Sequence, residues 1–372
     1  MEFDTRPQFH KLRKNDRIVY AERLPHNVID EVIVNPLAVE MLDNSHKALA
    51  STDGIIENTF IMVPPGSGDA AFFSPPRWTR TVTIDSDVYP YGGMIGTVLS
   101  GKGCTITGSD YLMKRGTITS TPWGYFGDKD AAKDMYLSNL LLQTGARVAL
   151  PLGYAVINHE KVKEWLQSRW GNNDRFKFRN TQLNTVIRNG DHMAYYLRIG
   201  GSRVRLDSKD NKIVANEMQR IAPFILQESV NNPASLSKES LHFFTKVANQ
   251  SPLQENDMFG YVAWAASVVT QNMKALYALY RQGHTYDQLG EILASRKDIC
   301  LGLFHQDFEE VPSLEKKKSY MYPYDDYEYS MKRIVRDHVV KLYTALIGRE
   351  PLYEEDLQFE HYYKSQIEKL KI

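Results

Sequence analysis

What most constrains the fold of this chain is the order of its two halves. Between Thr81 and Met113, short β-type runs (81–84, 97–99 and 111–113) are separated by Gly92, Gly93, Gly96, Gly101, Gly103 and Gly108. From about Asp210 onward, apolar residues recur at helical spacing almost without interruption. That spacing predicts helices over residues 213–229, 238–249, 257–281, 286–295, 327–347 and 354–370. One short β-like run, 299–304, breaks into them. Between the halves, Ala131, Met135, Leu137, Leu140, Leu141 and Leu142 predict a helix over 130–144, and Gly145 is a good C-cap. Residues 148–157 read as a buried strand, 160–170 as a short amphipathic helix, and 180–206 as β structure centred on 193–197. This is not the alternating βα order of a parallel sheet.

A small sheet with one prominent helix, followed by a helical half, is the order of an α+β, bilobal, protein-kinase-like fold. The N-lobe is β-rich and the C-lobe mostly helical. Its length of 372 residues fits two domains. Residues 1–60 carry no clear period, and 64–76 hold Pro-Pro twice around Gly-Ser-Gly. The expected division is an N-terminal extension and linker over 1–75, a nucleotide-binding N-lobe over 76–206 and a helical C-lobe over 207–372.

Charge and cysteine content narrow the function classes. Lys and Arg number 45 and so do Asp and Glu, so a protein whose main work is neutralising a nucleic-acid backbone is not expected. Two cysteines, Cys104 and Cys300, exclude a four-cysteine zinc site. They read as buried thiols of a reducing compartment, with a single bridge the other option. There is no basic-then-apolar leader pattern. The longest apolar run, around Tyr261 to Thr270, is well short of the ~20 residues of a membrane span. The expectation is a cytoplasmic protein without membrane partners.

Chemistry in a kinase-like cleft needs a cation on a strand, glycines that admit phosphate, an acid to hold the cation, and hard oxygen ligands for Mg²⁺. Lys114 ends the strand-like Tyr-Leu-Met-Lys and fits the first role, with Asp134 as its partner. Each also reads simply, as a solvated strand-end lysine and a first-turn helix acid. Arg198, Ser202, Arg203 and Arg205 form a basic cluster around Gly200 and Gly201. It suits phosphate through planar guanidinium forks, or a charged edge strand. Asp298 and Asp307 flank a short hairpin-like run, as metal ligands or as turn acids.

Several of these stretches together are similar to one family. They are Tyr91-Gly92-Gly93-Met94-Ile95-Gly96, Leu99-Ser100-Gly101-Lys102-Gly103, Met113-Lys114-Arg115-Gly116, Gly127-Asp128-Lys129, Lys133-Asp134 and Thr144-Gly145. Then follow Arg198-Ile-Gly-Gly-Ser202-Arg-Val-Arg205 and the run from Asp298 to Glu310. In this order they resemble the selenoprotein O family of pseudokinases, with both arginines and the serine in register. The resemblance covers about half the chain, in separated pieces. It implies a nucleotide-dependent transferase that moves AMP from ATP to a hydroxyl side chain of a protein substrate. It implies nucleotide binding by Gly93, Gly96, Lys102, Lys114, Arg198, Ser202 and Arg205, with Asp134 holding Lys114. It implies that Asp298 and Asp307 bind Mg²⁺ or Mn²⁺.

The chain also departs from the family. Lys297 stands where the family has an acid, Asp298 where it has Asn, and Glu309-Glu310 where it has Gly-Pro. The alternatives are ordinary phosphoryl transfer to a protein or small molecule, a catalytically inactive pseudokinase used for binding or regulation, and an interaction protein. A rival register over 284–293 would put Glu291 at a metal position. A plain helix capped by Thr285 is the preferred reading there.

Overall fold

The computed structural model describes residues 17–44, 46–63, 70–74, 81–85, 98–102, 127–170, 192–200, 202, 204, 210–231, 236–282, 299, 301–303 and 323–370. The expected helix over 286–295 and the run 111–113 lie outside them. The fold mixes helix and sheet and is mostly helical. The chain divides into two compact units, one of Met1–Ser86, Val98–Tyr136 and Pro151–Ile199, the other of Asp87–Thr97, Leu137–Leu150 and Gly200–Ile372.

The first unit is built on a sheet. Its strands are β1 (Arg17–Arg23), β2 (Ile29–Val34), β3 (Phe60–Val63), β4 (Ala70–Ser74), β5 (Thr81–Asp85), β6 (Val98–Lys102), β7 (Leu150–Ile157) and β8 (Met193–Gly200). Their order across the sheet is β2-β7-β8-β6-β5-β4-β1-β3. β1 lies antiparallel between β3 and β4, with Tyr20 opposite both Val63 and Ala71. β2 runs antiparallel to β7, with Val32 opposite Ala155. Residues 1–75, expected as an extension and linker, thus supply four strands. The Pro-Pro and Gly-Ser-Gly turn signals around 64–76 flank Ala70-Ala71-Phe72-Phe73, an apolar run that pairs along β1.

Every residue of β7 and β8 is buried, so these strands are covered on both faces. That explains their unbroken apolar sequences, which lack the alternation of a half-solvated strand. One face packs on α3 (Asp128–Gln143): Ala131 and Met135 meet Tyr154, Val156, Ala194 and Tyr196. α3 ends as its sequence predicts. Gly145 has φ +89, its N–H donates to Leu142 O, and Ala146 N–H donates to Leu141 O. That is a Schellman closure, which needs glycine at the left-handed position. α1 (Pro36–Met41) and α2 (Thr52–Glu57) are capped by Asn35 and Ser51, whose side chains accept from Leu37 N and Gly54 N. α4 (His159–Trp170) follows β7.

Gly153 in β7 has φ +150, and a β-carbon there would overlap the Ile33 carbonyl oxygen and stand 2.5 Å from Ile55 Cδ1. The expected result for Gly153→Val is a loss of about 3 kcal/mol, from backbone strain plus overpacking. Urea unfolding measures it, and an unchanged midpoint would show that β2 and α2 yield freely.

The second unit contains α5 (Asn211–Asn231), α6 (Lys238–Ala248), α7 (Met258–Arg281), α8 (Pro323–Ile347) and α9 (Tyr353–Leu370). α7 packs against α6, α8 and α9, and α5 against α6 and α8. α7 accordingly buries residues on all sides, including Tyr261, Trp264, Ala265, Val269, Asn272 and Leu276. Phe243, Phe244, Tyr261 and Trp264 form an aromatic cluster with ring centroids 5.1 to 5.8 Å apart. α9 is tied to α8 by Arg336–Asp356 and Lys332–Glu360 ion pairs. The five helices fall where their periodicity places them. α8 starts four residues early, because Pro323 is well suited to a first helical position. Among the described residues, no helix is long and apolar enough to cross a membrane.

Candidate functional site

Of the residues expected to bind nucleotide or metal, Gly93, Gly96, Lys114, Arg205, Asp298 and Asp307 lie outside the described residues. Lys102 closes β6, its backbone opposite Thr81. Asp134, Arg198 and Ser202 can be described in full.

In the first unit, the period of two along β8 puts Ala194, Tyr196 and Arg198 on one face, and α3 covers it. Asp134 is 1% exposed and Arg198 2%. Tyr196 Oη donates to Asp134 Oδ1 at 3.1 Å, and Arg198 Nη1 stands 3.8 Å from Asp134 Oδ2. Asp134 was expected beside Lys114 and Arg198 beside phosphate. The structure brings the two together, as a buried acid and base of opposite charge under α3.

In the second unit, Ser202 is also buried. Its hydroxyl donates to Glu217 Oε1 at 2.6 Å and accepts from Val204 N at 3.0 Å. Glu217, fully buried on α5, is held by Arg220, whose Nε and Nη2 donate at 3.0 and 2.7 Å. Val204 O then accepts from Leu301 N at 2.7 Å. This bond joins the segment of the basic cluster to the run between Asp298 and Asp307. Gly302 and Leu303 follow with φ +87 and +57. A leucine in that region is strained by ~1–3 kcal/mol and is held there by its surroundings.

What holds the turn is a network that sequence reasoning missed. Arg147, two residues past the Gly145 closure, is 3% exposed. Its Nε donates to Gly302 O at 2.7 Å, and Nη1 and Nη2 donate to Glu228 Oε2 and Oε1 at 2.6 and 2.9 Å. Its backbone N–H donates to Asn272 Oδ1 at 2.8 Å, and Asn272 Nδ2 donates to Tyr327 Oη at 2.8 Å. The guanidinium carbon lies 5.5 Å from the Trp264 ring centroid. Burial pushes the Glu228 carboxyl up, against the pull of the Arg147 guanidinium. No local signal marks these residues, since Glu228 and Asn272 look like solvated helix positions. Only the Glu217–Arg220 pair, three apart on a helix, has a spacing that could have been read.

His338 on α8 is a further buried group, 2% exposed, with Nδ1 2.6 Å from Tyr261 Oη. Burial, and secondarily the charge of Lys341, pushes its pKa down to about 3. Among the described residues, no three or more His, Cys, Asp or Glu side chains gather to hold a metal ion. Comparison of the chain with protein-family models, curated proteins and solved structures returns no match.

Proposed function

We propose that the chain is a nucleotide-dependent transferase that moves AMP from ATP to a hydroxyl side chain of a protein. The observation that carries this reading is the Val204–Leu301 bond. It joins the segment of Ser202 and Val204, next to Arg205 in the sequence, to a turn that lies between Asp298 and Asp307 in the sequence. Guanidinium groups suit phosphate oxygens. Two carboxylates with phosphate oxygens make an all-oxygen donor set, which fits Mg²⁺ or Mn²⁺. When bound, such an ion neutralises phosphate charge. The chain's own part is positioning and charge stabilisation. Lys114 and Arg205 hold the phosphates while the acceptor oxygen forms a bond to the α-phosphorus. The bond from that phosphorus to the bridging oxygen breaks, pyrophosphate leaves, and the hydroxyl proton passes to solvent, Lys297 standing where the family has an acid.

The test is incubation with ATP labelled separately at the α and γ phosphates, with Mg²⁺ or Mn²⁺. Transfer from the α position is expected, falling at least 100-fold in Lys114→Ala and in Asp307→Ala while both still unfold cooperatively. Activity that survives both substitutions means the site is misplaced. Transfer from the γ position means phosphoryl transfer instead. Lys297 favours a second reading, a nucleotide-binding pseudokinase, which predicts a thermal shift with ATP and no transfer. Absence of any shift with nucleotide sinks both.

A further inference from the structure

We infer that the corner where α8 meets α9 is a docking site for a basic segment of a partner protein, with Leu352 and Tyr353 as its apolar anchors. The inference uses residues of the helical unit alone and is independent of the transferase reading.

Three observations carry it. First, Leu352 is 60% exposed and Tyr353 72%. Single exposed apolar side chains are ordinary on a surface, but here two large ones are consecutive. Leu352 also stands where leucine does nothing for the fold. Its carbonyl accepts from Asp356 N at 3.0 Å, and it directly precedes α9, so it is the N-cap of that helix. A leucine there neither buries its side chain nor supplies a capping oxygen, and it ranks far below serine, threonine, aspartate or asparagine. Glu355, three residues on, already performs its half of a capping box: its Oε2 accepts from Leu352 N at 2.6 Å. The chain keeps an exposed leucine where a serine would complete the box. Second, the corner is fixed. Arg349 Nη1 and Nη2 donate to Glu355 Oε2 and Oε1 at 2.9 and 2.7 Å, and Nη2 also donates to Glu255, in the turn before α7. Nη1 donates further to the Glu350 carbonyl at 2.9 Å, and the guanidinium carbon lies 5.1 Å from the Tyr343 ring centroid. One arginine thus ties the α8–α9 connection to the α6–α7 connection. Exposed anchors on a fixed frame lose little freedom on binding, and tyrosine is among the side chains that most often carry an interface. Third, the charge around the anchors has one sign in excess. Four carboxylates, Glu255, Glu350, Glu354 and Glu355, accompany the Arg349 guanidinium, which leaves three negative charges over. Glu350 and Glu354, on either side of the anchors, are exposed. Such a rim attracts lysine and arginine and repels nucleic acid and anionic lipid. The occupant that fits is a protein segment with apolar side chains set between its cations.

The probe is a short fluorescein-labelled peptide of alternating lysine and leucine, with the matching glutamate–leucine peptide as control. Each is titrated into the full chain and followed by fluorescence anisotropy. The lysine peptide is expected to bind, less tightly as salt rises, and the control to bind about tenfold more weakly or not at all. Leu352→Ser and Tyr353→Ser are each expected to weaken binding of the lysine peptide about tenfold or more, the loss typical of an anchor residue. The urea midpoint of Leu352→Ser is expected to equal or exceed that of the parent chain, because the substitution completes the capping box. Lost binding in that variant is then not lost folding. Should it unfold earlier than the parent all the same, Tyr353→Ser decides, its side chain lying mostly in solvent. Glu350→Lys/Glu354→Lys is expected to weaken binding about tenfold or more and to remove most of its salt dependence.

Equal binding of the two peptides, or parental binding of the lysine peptide by the folded serine variants, overturns the inference. So does failure of the parent chain to bind the lysine peptide. If sedimentation shows that the parent chain self-associates and that Tyr353→Ser abolishes it, a second copy covers the corner and the inference falls. None of these outcomes bears on transfer from ATP, which the labelled-nucleotide experiment decides separately.

Discussion

Replacing Gly260 by valine lowers the stability of the helical unit by about 4 kcal/mol, and replacing it by alanine lowers it by about 2 kcal/mol, at the upper range of overpacking effects. Gly260 lies in the first turn of α7, where α6 crosses. A β-carbon there would overlap the Glu239 carbonyl oxygen and stand 2.7 Å from Phe243 Cβ. The Ser240 hydroxyl, fully buried, donates to the Gly260 carbonyl at 2.8 Å and fixes the approach of the two helices. The alanine variant is the sharper test because two effects oppose. In a helix alanine is favoured over glycine by about 1 kcal/mol. A loose crossing would therefore make Gly260→Ala stabilising, and a close one makes it destabilising. Urea unfolding followed by tryptophan fluorescence reads the sign directly. A raised midpoint for alanine would mean that α6 and α7 do not pack as described.

The second large effect is on pH. The chain loses about 2 kcal/mol of stability between pH 7 and pH 5, mostly through His338. Its pKa is about 3 in the folded protein, against an ordinary value near 6.5. The folded state therefore binds fewer protons than the unfolded state between those values. Stability is complete above about pH 6.5 and is lost as pH falls toward about 3, at about 1.4 kcal/mol per pH unit. His338→Gln cannot titrate, and its stability should lose about 2 kcal/mol less than the parent chain's from pH 7 to pH 5. If the parent chain and the variant change alike, His338 is not buried as a neutral imidazole against Tyr261. Among the described residues, further losses come at lower pH. Glu355, held down to about 2 chiefly by Arg349, and Glu360, held down to about 2 by Lys364 and Lys332, give up their contributions as pH falls below about 4.5.

The helical unit was legible because its information is local. α6 shows an N-cap serine, Ser237, and an apolar stripe of Phe243, Phe244 and Val247. α8 is followed by Gly348 at φ +89, and each signal sits within one turn of the boundary it sets. The N-terminal strands were not legible for the opposite reason. β1 is short and charged at both ends, and only its two partners, β3 and β4, make it a strand. β2 likewise depends on β7. The same contrast holds for the candidate site. Asp134, Arg198 and Ser202 could be chosen by residue type and spacing. Their actual partners (Arg198 for Asp134, Glu217 for Ser202) arise from strand parity and helix packing. Arg147 and Glu228 are 81 residues apart, and nothing near either announces the other.

The order of strands in the sheet has a consequence for synthesis. β8 is the joint between β2-β7 on one side and β6 to β3 on the other. Asn35, at the end of β2, reaches Pro151, 116 residues further along the chain. At roughly 5–20 residues per second, a nascent β2 waits on the order of ten seconds for its partner to leave the ribosome. The joint itself comes later still. Until then the early strands are an unfinished surface with open hydrogen-bonding edges, the state in which a chain is most easily captured by a chaperone or by another copy of itself. Slow translation before β8 should therefore cost this protein more soluble yield than slow translation through its helices.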